Sequence, residues 1–105
     1  DHTDYAKYVY DKVIVENDNN YTKVSTDDIE NIKSYFNDFK DVMESLERLN
    51  EYDFDVNSIT ENDYVRIVTK EGTPIGDSTY GRFDNYSVFL FDSETLTLYY
   101  IHNNI

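Results

Sequence analysis

The chain has 105 residues, no cysteine and one proline, and its 22 acidic and 9 basic residues give it a net charge of −13. A surface this negative repels phosphate, which excludes nucleic acid and anionic membranes as direct ligands. Residues 1–105 are predicted to form one domain with its own core. The sequence contains no apolar run of about 18 residues, so no transmembrane segment is predicted.

The N-terminal segment has two alternative interpretations. The apolar spacing within residues 1–11 favours a short helix, whereas the run at residues 8–10 is equally typical of a strand. Next, residues 12–16 are β-branched and predict a strand, and residues 17–20 form a turn cluster. Residues 21–24 then predict the returning strand of a small first hairpin.

A helix is predicted to begin at Ser25. The stretch from Ser25 to Asp28 matches a capping box, with acidic residues at the positive end of the helix dipole. An apolar stripe follows at steps of three and four over roughly 25 residues, or about 37 Å. The stripe predicts a core-facing side and consists of Ile29, Ile32, Phe36, Phe39, Met43 and Leu46.

The region between this helix and the C-terminal strands is predicted in four pieces. Residues 51–62 are acidic and irregular, and residues 63–69 predict a strand. Residues 71–76 contain two glycines and the proline and form the clearest turn. Residues 75–80 are interpreted as another short strand, with Gly81 marking a bend.

The C-terminal region predicts a β-hairpin. Strands at residues 86–91 and 96–101 are rich in aromatic and β-branched residues and are joined by a polar connection. If Phe91 lies opposite Leu96, alternation places Phe89, Phe91, Leu96, Leu98 and Tyr100 on one face. The other face, named the aromatic face, carries Tyr86, Val88, Leu90, Tyr99 and Ile101.

Together these elements predict an α+β fold in the order (α)ββαβ(β)ββ, with one long amphipathic helix packed on an antiparallel sheet and a C-terminal hairpin. The helix is expected to cover the face that carries Phe89 and Leu98. The aromatic face then either binds a partner or is buried by the N-terminal segment or by other strands.

No metal site is predicted. Residues 53–57 resemble the first half of a calcium-binding loop, but Ser58 stands where glycine is needed and Tyr64 where a bidentate glutamate is needed. We interpret the segment as a solvated acidic turn.

No catalytic signature is present either. His2 and His102 lie near the chain ends, and there is no cysteine or nucleophile motif. The segment at residues 72–76 lacks the lysine of a phosphate loop. The chain is therefore predicted to be non-enzymatic and to need no cofactor.

Acidic residues concentrate after the middle of the helix. This set, named the acidic ridge, consists of Asp41, Glu44, Glu47, Glu51, Asp53 and Asp55. It is interpreted either as a solvated surface or as a binding surface for a basic protein. The only basic residue within the stretch is Arg48.

Two functional hypotheses follow. The first is a bacterial binding module that is exported or tethered to a membrane, because Asp1 is not an initiator and the true start is expected upstream. The second is a cytoplasmic acidic inhibitor or immunity-type protein that mimics DNA and blocks a basic nucleic-acid-handling protein. An extracytoplasmic location is slightly favoured. In both cases the partner is another protein.

Overall fold

The computed structural model describes residues 2–105, which form a five-stranded antiparallel sheet with a helix across one face. The strands lie in the order β1-β5-β4-β3-β2. The predicted α+β class, with one long helix on an antiparallel sheet and a C-terminal hairpin, is confirmed. In chain order the elements are β1 (His2–Val9), β2 (Thr22–Lys23), α1 (Ile29–Ser45), β3 (Tyr64–Thr69), β4 (Asn85–Asp92) and β5 (Thr97–Asn104).

The helix is continuous but shorter than its apolar stripe. It ends at Ser45 because Glu47 adopts a left-handed conformation with φ of 57°. The Arg48 N–H then donates to the Met43 carbonyl at 2.8 Å, which closes a Schellman-type end. Beyond this end, Leu46 is exposed and does not extend the core-facing side.

The start of the helix differs from the predicted capping box. The Ser25 hydroxyl donates to the carboxylate of Asp28 at 2.7 Å and does not bond the helix backbone. A 3₁₀ turn at Thr26–Asp28 precedes α1, and two further 3₁₀ turns, Leu49–Glu51 and Val56–Ser58, shape the acidic segment that follows it.

The register of the C-terminal hairpin is shifted by two residues from the prediction. Phe91 lies opposite Leu98, and Leu96 belongs to the connecting turn, where its φ is 56°. Because side chains alternate with a period of two, a shift of two keeps every strand residue on its predicted face.

The helix covers the opposite face of the hairpin from the one expected, and that prediction is wrong. The buried side of α1 packs on the aromatic face. The reason lies in β3, whose Val65 and Ile67 pair with Leu90 and Val88 and extend this face as an apolar surface. The other face receives Arg66 from the same strand.

The N-terminal region also departs from the prediction in its pairings. Residues 2–9 form strand β1, which pairs along its full length with β5, and residues 12–16 form no strand. The short β2 pairs with β3, so no first hairpin forms. Residues 75–80 form turns and no strand. Within residues 2–105, no helix is long and apolar enough to cross a bilayer.

Residues 10–21 cross the sheet on the side away from the helix. There Val15 is buried, and the ring of Tyr10 lies 6.2 Å from that of Phe91. The ring of Tyr21 approaches Phe89 at 6.5 Å. This crossing segment covers Phe91 fully and leaves Phe89 half-exposed.

Candidate functional site

All six carboxylates of the acidic ridge are exposed, but the structure divides them into two groups. The first group is Asp41, Glu44 and Glu47. For these three, no hydrogen bond or ion pair is formed with any side chain among residues 2–105. They are therefore available to a partner.

The position of this first group is unfavourable for the helix. Asp41 and Glu44 lie in the last turns of α1, close to the negative end of the helix dipole. Glu47 holds a left-handed conformation that glycine adopts more readily. No residue in the last turn of the helix is basic. These side chains do not stabilise the element that carries them.

Glu51 belongs to the second group because Arg48 neutralises it. The guanidinium donates twice to the carboxylate, from Nε at 3.0 Å and from a terminal nitrogen at 3.1 Å. These hydrogen bonds lower the pKa of Glu51. The same Arg48 also donates to the carbonyl of Thr3 at 3.2 Å, so the pair joins the acidic segment to β1.

Asp53 and Asp55 are also engaged within the molecule. Asp53 accepts hydrogen bonds from the ammonium group of Lys7 and from the hydroxyl of Tyr5, and these bonds lower the pKa of Asp53. The side chain of Asp55 accepts from the N–H of Asn57 at 2.9 Å and caps a 3₁₀ turn. Both carboxylates have structural roles.

The aromatic face is not available at the surface. Tyr86, Val88, Leu90 and Ile101 are fully buried, and Tyr99 is half-buried with its ring 4.6 Å from Phe54. The interpretation of this face as a partner-binding surface is corrected accordingly. It forms the core because α1 lies directly on it.

A half-buried aromatic surface lies on the opposite side of the sheet, which we name the open face. There Arg66 stacks on Phe89 with 5.3 Å between the guanidinium carbon and the ring centre. The rings of Phe89 and Tyr100 are 4.9 Å apart, and Tyr100 is parallel to His102. Alternation alone identified Phe89 and Tyr100 as neighbours on one face, but the expected helix placement had assigned them to the core.

A serine and a histidine that the sequence did not connect also meet on the open face. The Ser87 hydroxyl lies 2.8 Å from Nδ1 of His102, and Asp4 is the neighbour of His102 on β1. These residue types resemble a nucleophile with its base. However, Ser87 lies inside a strand whose N–H groups face β3 and β5, so none is free to stabilise an oxyanion there.

A cavity of about 240 Å³ opens at the edge of β3. Asn19 and Asn20 line one side, and Thr73 and Ile75 line the other. No strand within residues 2–105 pairs with the edge of β3 between them, because β2 covers only the first part of β3. At the far end, Thr69 pairs with Gly72. This cavity is small and mainly polar in its lining.

The described part of the chain contains no cluster of potential metal ligands. Within residues 2–105, no three histidine or acidic side chains are arranged to hold a metal ion. In the segment that resembles a calcium loop, Asp53 and Asp55 are used by the contacts described above.

Comparisons with known proteins identify no relative. No protein-family model, curated protein or solved structure matches the chain significantly.

Proposed function

We propose that this protein is a non-enzymatic acidic binding module that engages a basic surface of another protein. The binding surface consists of Asp41, Glu44 and Glu47, the part of the acidic ridge that no cation of the described chain neutralises. The observation that carries the proposal is this contrast within one ridge. Its other carboxylates are held by Arg48, by Lys7 or by a turn, whereas these three face solvent.

The local energetics support this assignment. Two acidic side chains near the negative end of a helix dipole, followed by a non-glycine residue with positive φ, reduce the stability of α1. Binding sites often contain residues that destabilise the helix or strand to which they belong. The net charge of −13 adds long-range attraction toward a basic partner and speeds its association.

A basic nucleic-acid-handling protein is one partner class that fits this surface. Such partners present a positive groove built to hold phosphates, and a row of carboxylates occupies the same kind of groove. An exported module that binds another basic protein would use the same three residues. The two versions differ in the partner and share the binding surface.

The test is capture of host proteins by the tagged chain, quantified by mass spectrometry. The ridge variant carries Asp41→Lys, Glu44→Lys and Glu47→Lys. Lysine near the end of a helix favours the dipole, so this variant is expected to remain folded. Glu51 is left unchanged, because reversing it would also break the pair with Arg48.

The matched control carries Glu71→Lys, Asp84→Lys and Glu94→Lys. These three residues are exposed and lie away from the ridge in the chain, and the net charge changes by the same amount. We expect the control to retain a basic partner and the ridge variant to lose it at least tenfold, or about 1.4 kcal/mol. Equal retention by both variants would exclude the ridge as the binding surface.

A further inference from the structure

Strand β1 is one edge of the sheet, and its backbone groups point in two directions. The N–H of Tyr10 donates to the carbonyl of Leu96 at 2.8 Å, just beyond the strand. Because backbone groups alternate in an antiparallel pair, even-numbered residues of β1 point to β5 and odd-numbered residues point away from the sheet. The carbonyl of Thr3 accepts from Arg48, which agrees with an outward direction.

The outward edge of β1 is long and largely unpaired. Beyond Thr3, the outward groups belong to Tyr5, Lys7 and Val9, and their N–H and C=O form no hydrogen bond with any residue between 2 and 105. The side chains of Val9 and Tyr8, on the same strand, are 75% and 53% exposed, so apolar surface lies beside the unpaired edge. An edge of this length is a template for pairing with another strand.

We propose that β1 pairs in antiparallel fashion with β1 of a second copy of this chain, about a two-fold axis that passes through Ala6. The two sheets then join into one continuous sheet across the axis. Pairing in this register satisfies the outward N–H and C=O groups of both strands, up to about eight hydrogen bonds. The Thr3 carbonyl can retain its hydrogen bond from Arg48, because a carbonyl oxygen can accept two hydrogen bonds.

The sequence of β1 is self-complementary in this register. Tyr5 lies opposite Lys7 of the second copy, and Asp4 lies opposite Tyr8, so each charge faces a tyrosine. Ala6 faces itself, which suits the closest approach of the two backbones. Moving the axis to Lys7 or to Asp4 would place two like charges face to face. Moving it to Tyr5 would pair only residues 2–8 among those that the structure describes, one residue pair fewer at each end than the register centred on Ala6.

Two contacts around the strand fit the same arrangement. Tyr5 already donates to Asp53, so Lys7 of the second copy would approach a carboxylate that it can share. Val9 of the second copy would reach the Thr3 end of the edge. Arg48 holds that end, and it is flanked in the chain by Leu46 at 48% exposure and Leu49 at 37%. In this register the exposed Val9 of the second copy approaches the segment that carries these two exposed leucines.

The first test is a cross-link with Ala6→Cys. The chain has no cysteine, so the introduced thiol is unique. In this register the two Ala6 residues form a non-hydrogen-bonded pair with Cα atoms about 4.5 Å apart, within disulfide range. We expect mild oxidation to give a covalent dimer. Asp4→Cys is the matched control, because its two copies would be about 13 Å apart along the strands. Cross-linking of the control in place of Ala6→Cys would refute the register.

The second test exchanges charge at the axis. Ala6→Lys and Ala6→Glu each place like charges opposite one another, and each is expected to weaken self-association by about tenfold or more. An equimolar mixture of the two variants should recover the dimer. Asn104→Lys adds a charge on the open face of β5, one strand in from the edge and opposite the end of β1. This variant should show the same mass as the wild type in sedimentation equilibrium.

Hydrogen exchange gives a readout that needs no variant. Amide protons of Tyr5, Lys7 and Val9 should exchange more slowly as protein concentration rises. Those of Ala6 and Tyr8, which already face β5, should not respond. A wild-type chain that sediments as a monomer at millimolar concentration, with concentration-independent exchange at Lys7, would overturn the proposal.

Discussion

The hydroxyl of Tyr86 donates to the carboxylate of Asp38 at 2.8 Å and joins the buried centre of the sheet to the flank of the helix. Burial raises the pKa of Asp38, and the hydrogen bond from Tyr86 opposes that rise. Burial, followed by the bond to Asp38, also raises the pKa of Tyr86. The pair therefore couples the packing of α1 on the sheet to the ionisation of one carboxyl.

Replacing Tyr86 with phenylalanine should destabilise the protein in a pH-dependent way. At pH 7 the change leaves a half-buried carboxylate without its donor, at a cost of about 1–2 kcal/mol. The folded-state pKa of Asp38 is already raised, so its contribution is most favourable at low pH and is lost as pH rises through that pKa. Tyr86→Phe raises this pKa further, so the cost should shrink once the carboxyl is protonated.

Urea unfolding of both proteins from pH 7 to pH 3 measures this cost. Tyr8→Phe is the control, since Tyr8 is exposed and its change should be neutral at every pH. A cost for Tyr86→Phe that stays constant across the range would contradict the assigned role of Asp38.

The face that the helix covers can be tested with two leucines of the same hairpin. Leu90 is fully buried under α1, whereas Leu98 is half-exposed on the open face. Leu90→Ala should cost about 2–5 kcal/mol by leaving a cavity. Leu98→Ala should cost less, about 1–2 kcal/mol, because part of the Leu98 side chain already faces solvent and its removal leaves no enclosed cavity. Chemical denaturation distinguishes them, and the reverse order would place the helix on the other face.

Glu47 is expected to be a site where substitution stabilises the protein. Glycine adopts its φ of 57° without the steric cost that a Cβ atom imposes. Glu47→Gly should be more stable than Glu47→Ala by about 1 kcal/mol, or about 4 °C in Tm. Glu47→Ala removes the same charge but keeps the unfavourable backbone, so it is the matched control. Both variants should bind a basic partner more weakly, and thermal unfolding with capture measures the two effects separately.

Asp53 should contribute to stability only above acidic pH. Hydrogen bonds from Lys7 and Tyr5 lower its pKa, so its contribution is present above the unfolded value of about 3.9 and is lost as pH falls through the folded one. Because the pair with Lys7 is exposed, Asp53→Asn should cost less than about 1 kcal/mol at pH 7 and nothing at lower pH. Thermal unfolding at pH 7 and at pH 2 checks this prediction. An equal loss of stability for Asp53→Asn at the two pH values would contradict it.

Local patterns predicted the parts of the fold that depend on short-range geometry. The three-and-four spacing of Ile32, Phe36 and Phe39 identified the buried side of α1 correctly. Alternation assigned the hairpin residues to the correct faces even though the register was off by two. Where β-branched runs were short, as at residues 12–16, tertiary pairing overrode local preference, because the expected returning strand, Thr22–Lys23, pairs with β3.

The candidate site was located by the sequence and divided by the structure. The run of acidic residues is visible in the sequence. The contact of Arg48 with Glu51 follows from their spacing in the chain, whereas the contact of Lys7 with Asp53 does not. The first pair is three residues apart, whereas the second joins the first strand to an irregular segment 46 residues later. The meeting of Ser87 with His102 likewise follows from the register of β4 and β5.

By itself, the sequence determined the long helix, the strands near residues 63–69, 86–91 and 96–101, the partition of the hairpin side chains between two faces and the strongly negative net charge. These follow from helix and strand periodicity and from composition, which act over a few residues or over the chain as a whole. Only the tertiary structure decided which face the helix covers, which edge of the sheet stays open and which carboxylates remain unneutralised. The covered face, the open edge and the pairing of Lys7 with Asp53 depend on how strands far apart in the chain are arranged. That arrangement is selected by the continuous apolar surface that Val65 and Ile67 complete beside Leu90 and Val88.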